Sequence, residues 1–142
     1  MCGVFAFFYR RPLTDVDIEF GRRGTKAIGY RGPDASGEWV NKEKGVYLGH
    51  RRLSVIDLSH DSDQPMIRRN LALSYNGEIY NYRSLRERLK GRGETIKTAG
   101  DTEILLAAWQ QWGRQSLNEL DGMFGFALLS SWPCAGTQMA VA

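Results

Sequence analysis

The sequence predicts a layered α/β or α+β domain built on a mainly antiparallel sheet. Short runs rich in β-branched and aromatic residues recur along the chain, the composition that suits a pleated, half-buried surface. These runs come in groups separated by segments of helical spacing, the order expected when helices cover a sheet from outside. The 142 residues, 42% apolar and 11% aromatic, are enough for one hydrophobic core and argue against disorder. There are no internal repeats.

Each element follows from local chemistry. Val4 to Tyr9 is short, apolar and aromatic, a buried strand. Thr14 can cap a helix with Asp17 three residues on, and Leu13 and Ile18 can form its staple. Val16, Phe20 and Ala27 fall roughly on one face of that helix, which Gly21 and Gly24 weaken. Gly29 to Gly37 ("GYRGPDASG") has three glycines and a proline in nine residues and reads as a loop. "EWV" and "GVYLGHRRLSVID" read as strands around the turn Asn41 to Lys44. Ser59 to Pro65 is a polar loop, and Leu71 to Tyr75 alternates as a strand. Asn81 can cap a helix carrying Leu85 and Leu89 that stops at Gly91 or Gly93. "ETIKT" reads as a short strand. Asp101 or Thr102 opens a helix with Ile104, Leu105 and Ala108 inward, ending near Trp112 and Gly113. Met123 to Ser130 is a last buried strand, and the residues after it have no clear period.

The charge balance is mild: 19 basic and 16 acidic residues give a net charge of +3. The densest basic stretch, Arg83 to Arg92, has one acid and no interleaved aromatics, so it reads as the solvated face of a helix and not as a nucleic-acid surface. Cys2 and Cys134 are the two cysteines, too few for a disulfide framework. No stretch reaches the ~18 consecutive apolar residues of a membrane helix. The start lacks the order of charged and apolar regions that marks a signal peptide. The expectation is a soluble protein of a reducing compartment, the cytosol.

Five places could carry chemistry. A catalytic cysteine needs a nearby base, because the thiolate is the reactive form. If Met1 is removed, Cys2 carries its own: a free α-amine with a pKa of roughly 7.7–8.0. Taken alone, Cys2 reads more simply as a small side chain opening a strand. Asn76-Gly77 is a hairpin signal. An asparagine amide and a glycine N–H can equally form an oxyanion hole. Arg51 and Arg52 interrupt a strand, either at an exposed edge or as a clamp for a carboxylate. Asp101 is a plain helix cap or a partner for an ammonium group. Arg31 to Asp34 ("RGPD") is a tight turn.

Together "MCG", "YRGPDASG", "GHRRLSVIDLS", "QPM", "YNGEIYNYRSLR", "GDTEILLAAW" and "LDGMFGFAL" resemble the glutaminase domain of class II glutamine amidotransferases. The resemblance is nearest to the glutamine-hydrolysing asparagine synthetases and covers Met1 to about Leu129. It implies an α+β, N-terminal-nucleophile hydrolase fold, with two antiparallel sheets stacked between helical layers. It implies hydrolysis of the glutamine side-chain amide to glutamate and ammonia through a thioester on Cys2. On this reading Asn76 and Gly77 form the oxyanion hole, Arg52 holds the substrate carboxylate and Asp101 its α-ammonium. The backbone of Arg52, Leu53, Ser54, Val55 and Ile56 and the region of Glu78 line the pocket. Arg31, Gly32, Pro33 and Asp34 support the loop near Cys2. No metal or cofactor is implied. L-glutamine is the expected ligand, with neither nucleic acid nor membrane as a partner.

The resemblance fades after Leu129. Pro133 and Gly136 disfavour a strand, so residues 130–142 are expected to form no packed element and to mark a truncation or frame change. A shortened sheet would favour self-association. The synthetase domain that follows in the family is absent from this sequence, so a separate ammonia-accepting synthetase is an expected partner. Two competing functions stay open: a non-catalytic fragment or binding module that keeps the pocket, and an N-terminal-nucleophile amidase with another substrate.

Overall fold

Among the described residues, seven strands form two antiparallel sheets. The computed structural model describes residues 2–54, 62–132 and 136–141, as backbone alone from residue 131 onward. The first sheet has the order β1-β3-β2, with β1 at Gly3–Phe8, β2 at Ala35–Asn41 and β3 at Val46–Arg52. The second has the order β4-β5-β6-β7, with β4 at Met66–Arg68, β5 at Leu71–Ile79, β6 at Gly122–Trp132 and β7 at Gly136–Val141. Helix α1 covers Asp15–Ala27, α2 Tyr82–Lys90 and α3 Thr102–Trp112.

The layers follow from the two-residue period of the strands. Val46 and Leu48 of β3 meet Ala72 of β5 and Ala127 and Leu129 of β6, with Val4 and Ala6 packed beside them. That is the seam between the sheets. Leu71, Leu73 and Tyr75 point the other way, into a larger core with Leu85, Leu89 and the buried residues of α3. On the far side of the first sheet, Phe5, Phe7 and Tyr47 form an aromatic cluster with Phe20 of α1. The result is a four-layer arrangement: α1, first sheet, second sheet, then α2 and α3.

Helix α1 starts as its sequence predicts. The Thr14 hydroxyl accepts from the Asp17 N–H at 3.2 Å, and the Asp17 carboxylate accepts from the Thr14 N–H at 2.7 Å. Its buried residues are Gly21 and Thr25, whereas Val16 is 75% exposed. The glycines serve close packing: a Cβ on Gly21 would meet the Tyr47 ring at 2.6 Å, and one on Gly24 the Phe5 ring at 2.3 Å.

Several local readings give way to tertiary context. The stretch "ETIKT" is no strand, because its backbone pairs with side chains. Glu103 accepts from the Lys97 and Thr98 N–H groups at 2.8 and 2.7 Å, and Arg68 donates to the Thr95 carbonyl at 3.0 Å. Asn76-Gly77 is no hairpin turn, since β5 runs through it in register with β6. Arg51 and Arg52 occupy the central strand of their sheet and not an edge. Asp101 precedes α3 without capping it through its side chain. Asn81 likewise makes no side-chain cap; its amide bridges Glu119 and Asp121 instead. Beyond Leu129 the expected absence of a packed element is also corrected. Strand β6 continues to Trp132, and Gly136–Val141 pairs with it from Ala127↔Val141 to Trp132↔Gly136. Backbone pairing along an existing strand needs no side-chain alternation, which is why the absent period misled.

Candidate active site

Where β1 begins, β3 ends and β5 leaves β4, the sheets open into a cavity of about 240 Å³. Its wall includes Cys2, Arg52, Leu53, Asn76, Gly77, Glu78 and Asp101, which the sequence singled out from widely separated segments.

Cys2 lies one residue before β1 and is partly buried. Its Sγ accepts from the Leu53 N–H at 3.3 Å and lies 3.7 Å from the Leu53 carbonyl, so the backbone just past β3 fixes the thiol. Arg31 donates to the Cys2 carbonyl at 3.0 Å. Arg51 donates to the Gly32 carbonyl at 3.1 Å, the Asp34 N–H to the Arg52 carbonyl at 3.0 Å, and the Ser54 N–H to the Asp34 carboxylate at 2.8 Å. The "RGPD" turn therefore braces the segments carrying Cys2 and Arg52. Ser54 faces this turn and is not part of the cavity wall. Val55 and Ile56 lie outside the described residues.

Strand β4 pairs with Leu71, Leu73 and the residue between them, and among the described residues no strand pairs with that edge of β5 beyond Leu73. Its N–H groups there meet side chains. The Tyr75 N–H donates to Gln64 Oε1 at 2.7 Å and the Ile79 N–H to Asp101 Oδ2 at 2.9 Å. Strand N–H groups alternate sides, so the Gly77 N–H between these two faces the same way, toward the cavity. Gly77 has φ 153°, and a Cβ there would lie 2.3 Å from the Met123 carbonyl; glycine is needed on both counts. Beside it, Asn76 Oδ1 is buried with no hydrogen-bond partner among the described residues. A buried, unengaged carbonyl oxygen is costly in a fold that gains nothing from it.

Opposite charges stand on the wall. Arg52 is 7% exposed on β3, and its Nη1 lies 2.5 Å from Asp63 Oδ1. Asp101 is 6% exposed and accepts from the Tyr75 hydroxyl at 2.6 Å. Burial first, and then the Asp101 charge, push the Tyr75 phenol far up, so it stays a donor. Beneath the site His50 is fully buried, with Nδ1 3.2 Å from Ser74 Oγ. Burial and then the Arg52 charge lower His50 to about 4, so it is neutral at pH 7.

Sequence reasoning missed Ser62, Gln64, Tyr75, Gly100, Thr102 and Met123 on the wall. Most belong to words it did quote, such as "QPM", "YNGEIYN" and "GDTE". Neighbours of a marked residue carried the signal, but nothing local said which way each would face. No described helix is long and apolar enough to cross a membrane.

Asparagine synthetase (glutamine-hydrolyzing) 1 of Bacillus subtilis strain 168 is 36% identical over 132 residues, which cover 90% of this chain and 20% of that protein. A putative asparagine synthetase (glutamine-hydrolyzing) of Mycobacterium bovis is 41% identical over 144 residues, covering 90% and 22%. The chain thus spans about a fifth of the length of these curated relatives. Among solved structures, the glutamine phosphoribosylpyrophosphate amidotransferase of B. subtilis superposes with a TM-score of 0.52 at 27% identity, covering 63% of this chain and 22% of that one. The allosteric regulatory enzyme of purine biosynthesis gives 0.54 at 25%, covering 72% and 24%. The four layers are those of the N-terminal-nucleophile hydrolase fold. The profile of the glutamine amidotransferase domain matches residues 1–138, and the chain belongs to that family.

Proposed function

We propose that this cavity hydrolyses the side-chain amide of L-glutamine to glutamate and ammonia, with Cys2 as nucleophile. The observation that carries the reading is one cavity lined at once by Cys2, the Asn76-Gly77 pair, a cation at Arg52 and an anion at Asp101. A free amino acid presents a carboxylate and an ammonium group on one carbon. Arg52 meets the first and Asp101 the second, and the side-chain amide is left directed at Cys2.

The steps follow from these groups. Removal of Met1 frees the α-amine of Cys2, which accepts the thiol proton. The thiolate adds to the amide carbon, and the resulting oxyanion is held by the Asn76 side-chain N–H and the Gly77 backbone N–H. The tetrahedral species collapses to a thioester. The proton held by the amine goes to the departing nitrogen, which leaves as ammonia. Water, deprotonated by the same amine, then cleaves the thioester to glutamate and restores the thiol. A free thiol persists in a reducing compartment, so we place the reaction in the cytosol. The ammonia would pass to a synthetase acting on a separate acceptor.

The test is release of glutamate and ammonia from glutamine, with asparagine as a control amide. The wild-type chain should act on glutamine and spare asparagine, and Cys2→Ala should be inactive on both. Equal rates for Cys2→Ala and wild type would remove Cys2 from the mechanism.

A further inference from the structure

Asp101 stands where an aspartate ordinarily caps a helix, yet it does not cap α3. A capping carboxylate accepts from N–H groups of its own first turn, and its residue has extended backbone. Asp101 instead has φ −89° and ψ −21°, and its side chain makes no capping bond to α3. Its carboxylate is turned toward β5. The Tyr75 hydroxyl donates to Oδ2 at 2.6 Å, and the Ile79 N–H donates to the same oxygen at 2.9 Å. Oδ1 takes no hydrogen bond among the described residues, on a residue that lines the cavity. The anchors are themselves fixed. Tyr75 is 2% exposed, in the core it shares with α3, and its own N–H is tied to Gln64 Oε1 at 2.7 Å. From α2, Arg86 holds the carbonyl of Gly100, the residue before Asp101, at 3.2 Å.

We infer that Tyr75 is a positioning residue: its hydroxyl turns Asp101 away from its own helix and presents Oδ1 to the α-ammonium group of the substrate, and so sets the preference for an α-amino acid. This rests on the reading of Asp101 as the ammonium partner. One hydrogen bond fixes a distance and lets a carboxylate swing about it. Two donors converging on one oxygen also fix where the other oxygen points, which is how a supporting group pre-orients a binding group. The hydroxyl is the stronger lever of the two, because a bond to an ionised acceptor outweighs a neutral one and the side chain can be changed without touching the strand. The consequence is confined to one end of the substrate, the end that carries the amine.

Tyr75→Phe keeps the buried ring and removes the hydroxyl. It should raise the KM for glutamine about tenfold, the scale of one hydrogen bond to a charged group, with kcat unchanged. Glutaramate, which is glutamine without its α-amine, should inhibit glutamine hydrolysis equally well in both proteins. Asp101→Asn should also raise the KM for glutamine, and Tyr75→Phe added to it should change nothing more, because the hydroxyl acts through the carboxylate. Urea unfolding records that each variant is folded in the assay. A merely structural role for Tyr75 would weaken glutamine and glutaramate alike, and its cost would persist beside Asp101→Asn. With Asp101→Asn raising the KM, an unchanged KM in Tyr75→Phe, a loss of kcat, or an equal weakening of glutaramate would overturn the inference alone. An unchanged KM in Asp101→Asn, or no hydrolysis by wild type, would overturn it together with the proposed function.

Discussion

Asn76 and Gly77 are consecutive residues of one strand, and both line the cavity. If they stabilise an oxyanion, Asn76→Ala should reduce kcat by roughly 10²–10³-fold with little change in KM, the loss usual for one such donor; an unchanged kcat would remove Asn76 from that role. His50 allows a second prediction, about acid stability. Its ordinary value of 6.5 falls to about 4 in the fold, through burial and then the Arg52 charge. Between those values the unfolded chain binds a proton that the folded chain refuses. Stability should therefore drop as pH falls from 6.5 to 4, by about 3 kcal/mol in all. Urea unfolding from pH 7 to pH 4 checks this, and His50→Gln should flatten the slope; an equal slope in both proteins would contradict it. At this scale the sequence was informative where a residue's chemistry is unusual for its place, as with Cys2, Arg52 and Asp101. It was silent on Gln64 and Tyr75, which are ordinary residues whose part depends on meeting β5 and Asp101 across the chain.

The elements owe their ends to local signals and their placement to distant ones. The capping box at Thr14 and the start of α3 at Thr102 were legible because both depend on residues within one turn. The stretch after Glu94 was not. It is organised by Arg68, which reaches Glu94 at 2.5 Å and Glu103 at 2.9 Å. The Glu94 side chain is 3% exposed and that of Glu103 8%. Arg86 of α2 then holds the Thr98 and Gly100 carbonyls at 2.8 and 3.2 Å, just before Asp101. These contacts give an irregular segment the fixity of a strand. Arg68→Ala would leave buried Glu103 without its cation and Glu94 with only Arg69 at 4.0 Å, and should cost about 3–5 kcal/mol in urea unfolding. A loss below about 1 kcal/mol, the range of exposed pairs, would show that other groups hold the segment.

At the scale of the molecule, the site exists because two sheets face each other. Cys2 lies just before and Arg52 at the end of strands of the first sheet, Asn76 and Gly77 belong to the second, and Asp101 stands at the entry to α3. Composition and spacing gave strands and helices but not their pairing, since a ladder is a contact between distant segments. The order of seven short motifs gave the layers by resemblance, and the four layers agree with it. The residues after Leu129 were read poorly because β7 is placed by its neighbour β6 and not by a pattern of its own. The account depends most on the position of Cys2: the thiol must belong to the same residue as a free α-amine. The most direct test adds one alanine between Met1 and Cys2 and compares glutamate release with that of the unaltered chain, with intact mass recording each N-terminus. The unaltered chain should have lost Met1 and should hydrolyse glutamine. The extended chain should fold, keep its Cys2 thiol and be inactive, because the base has become an amide. Hydrolysis at an undiminished rate by a chain whose mass retains the added residue would contradict the account.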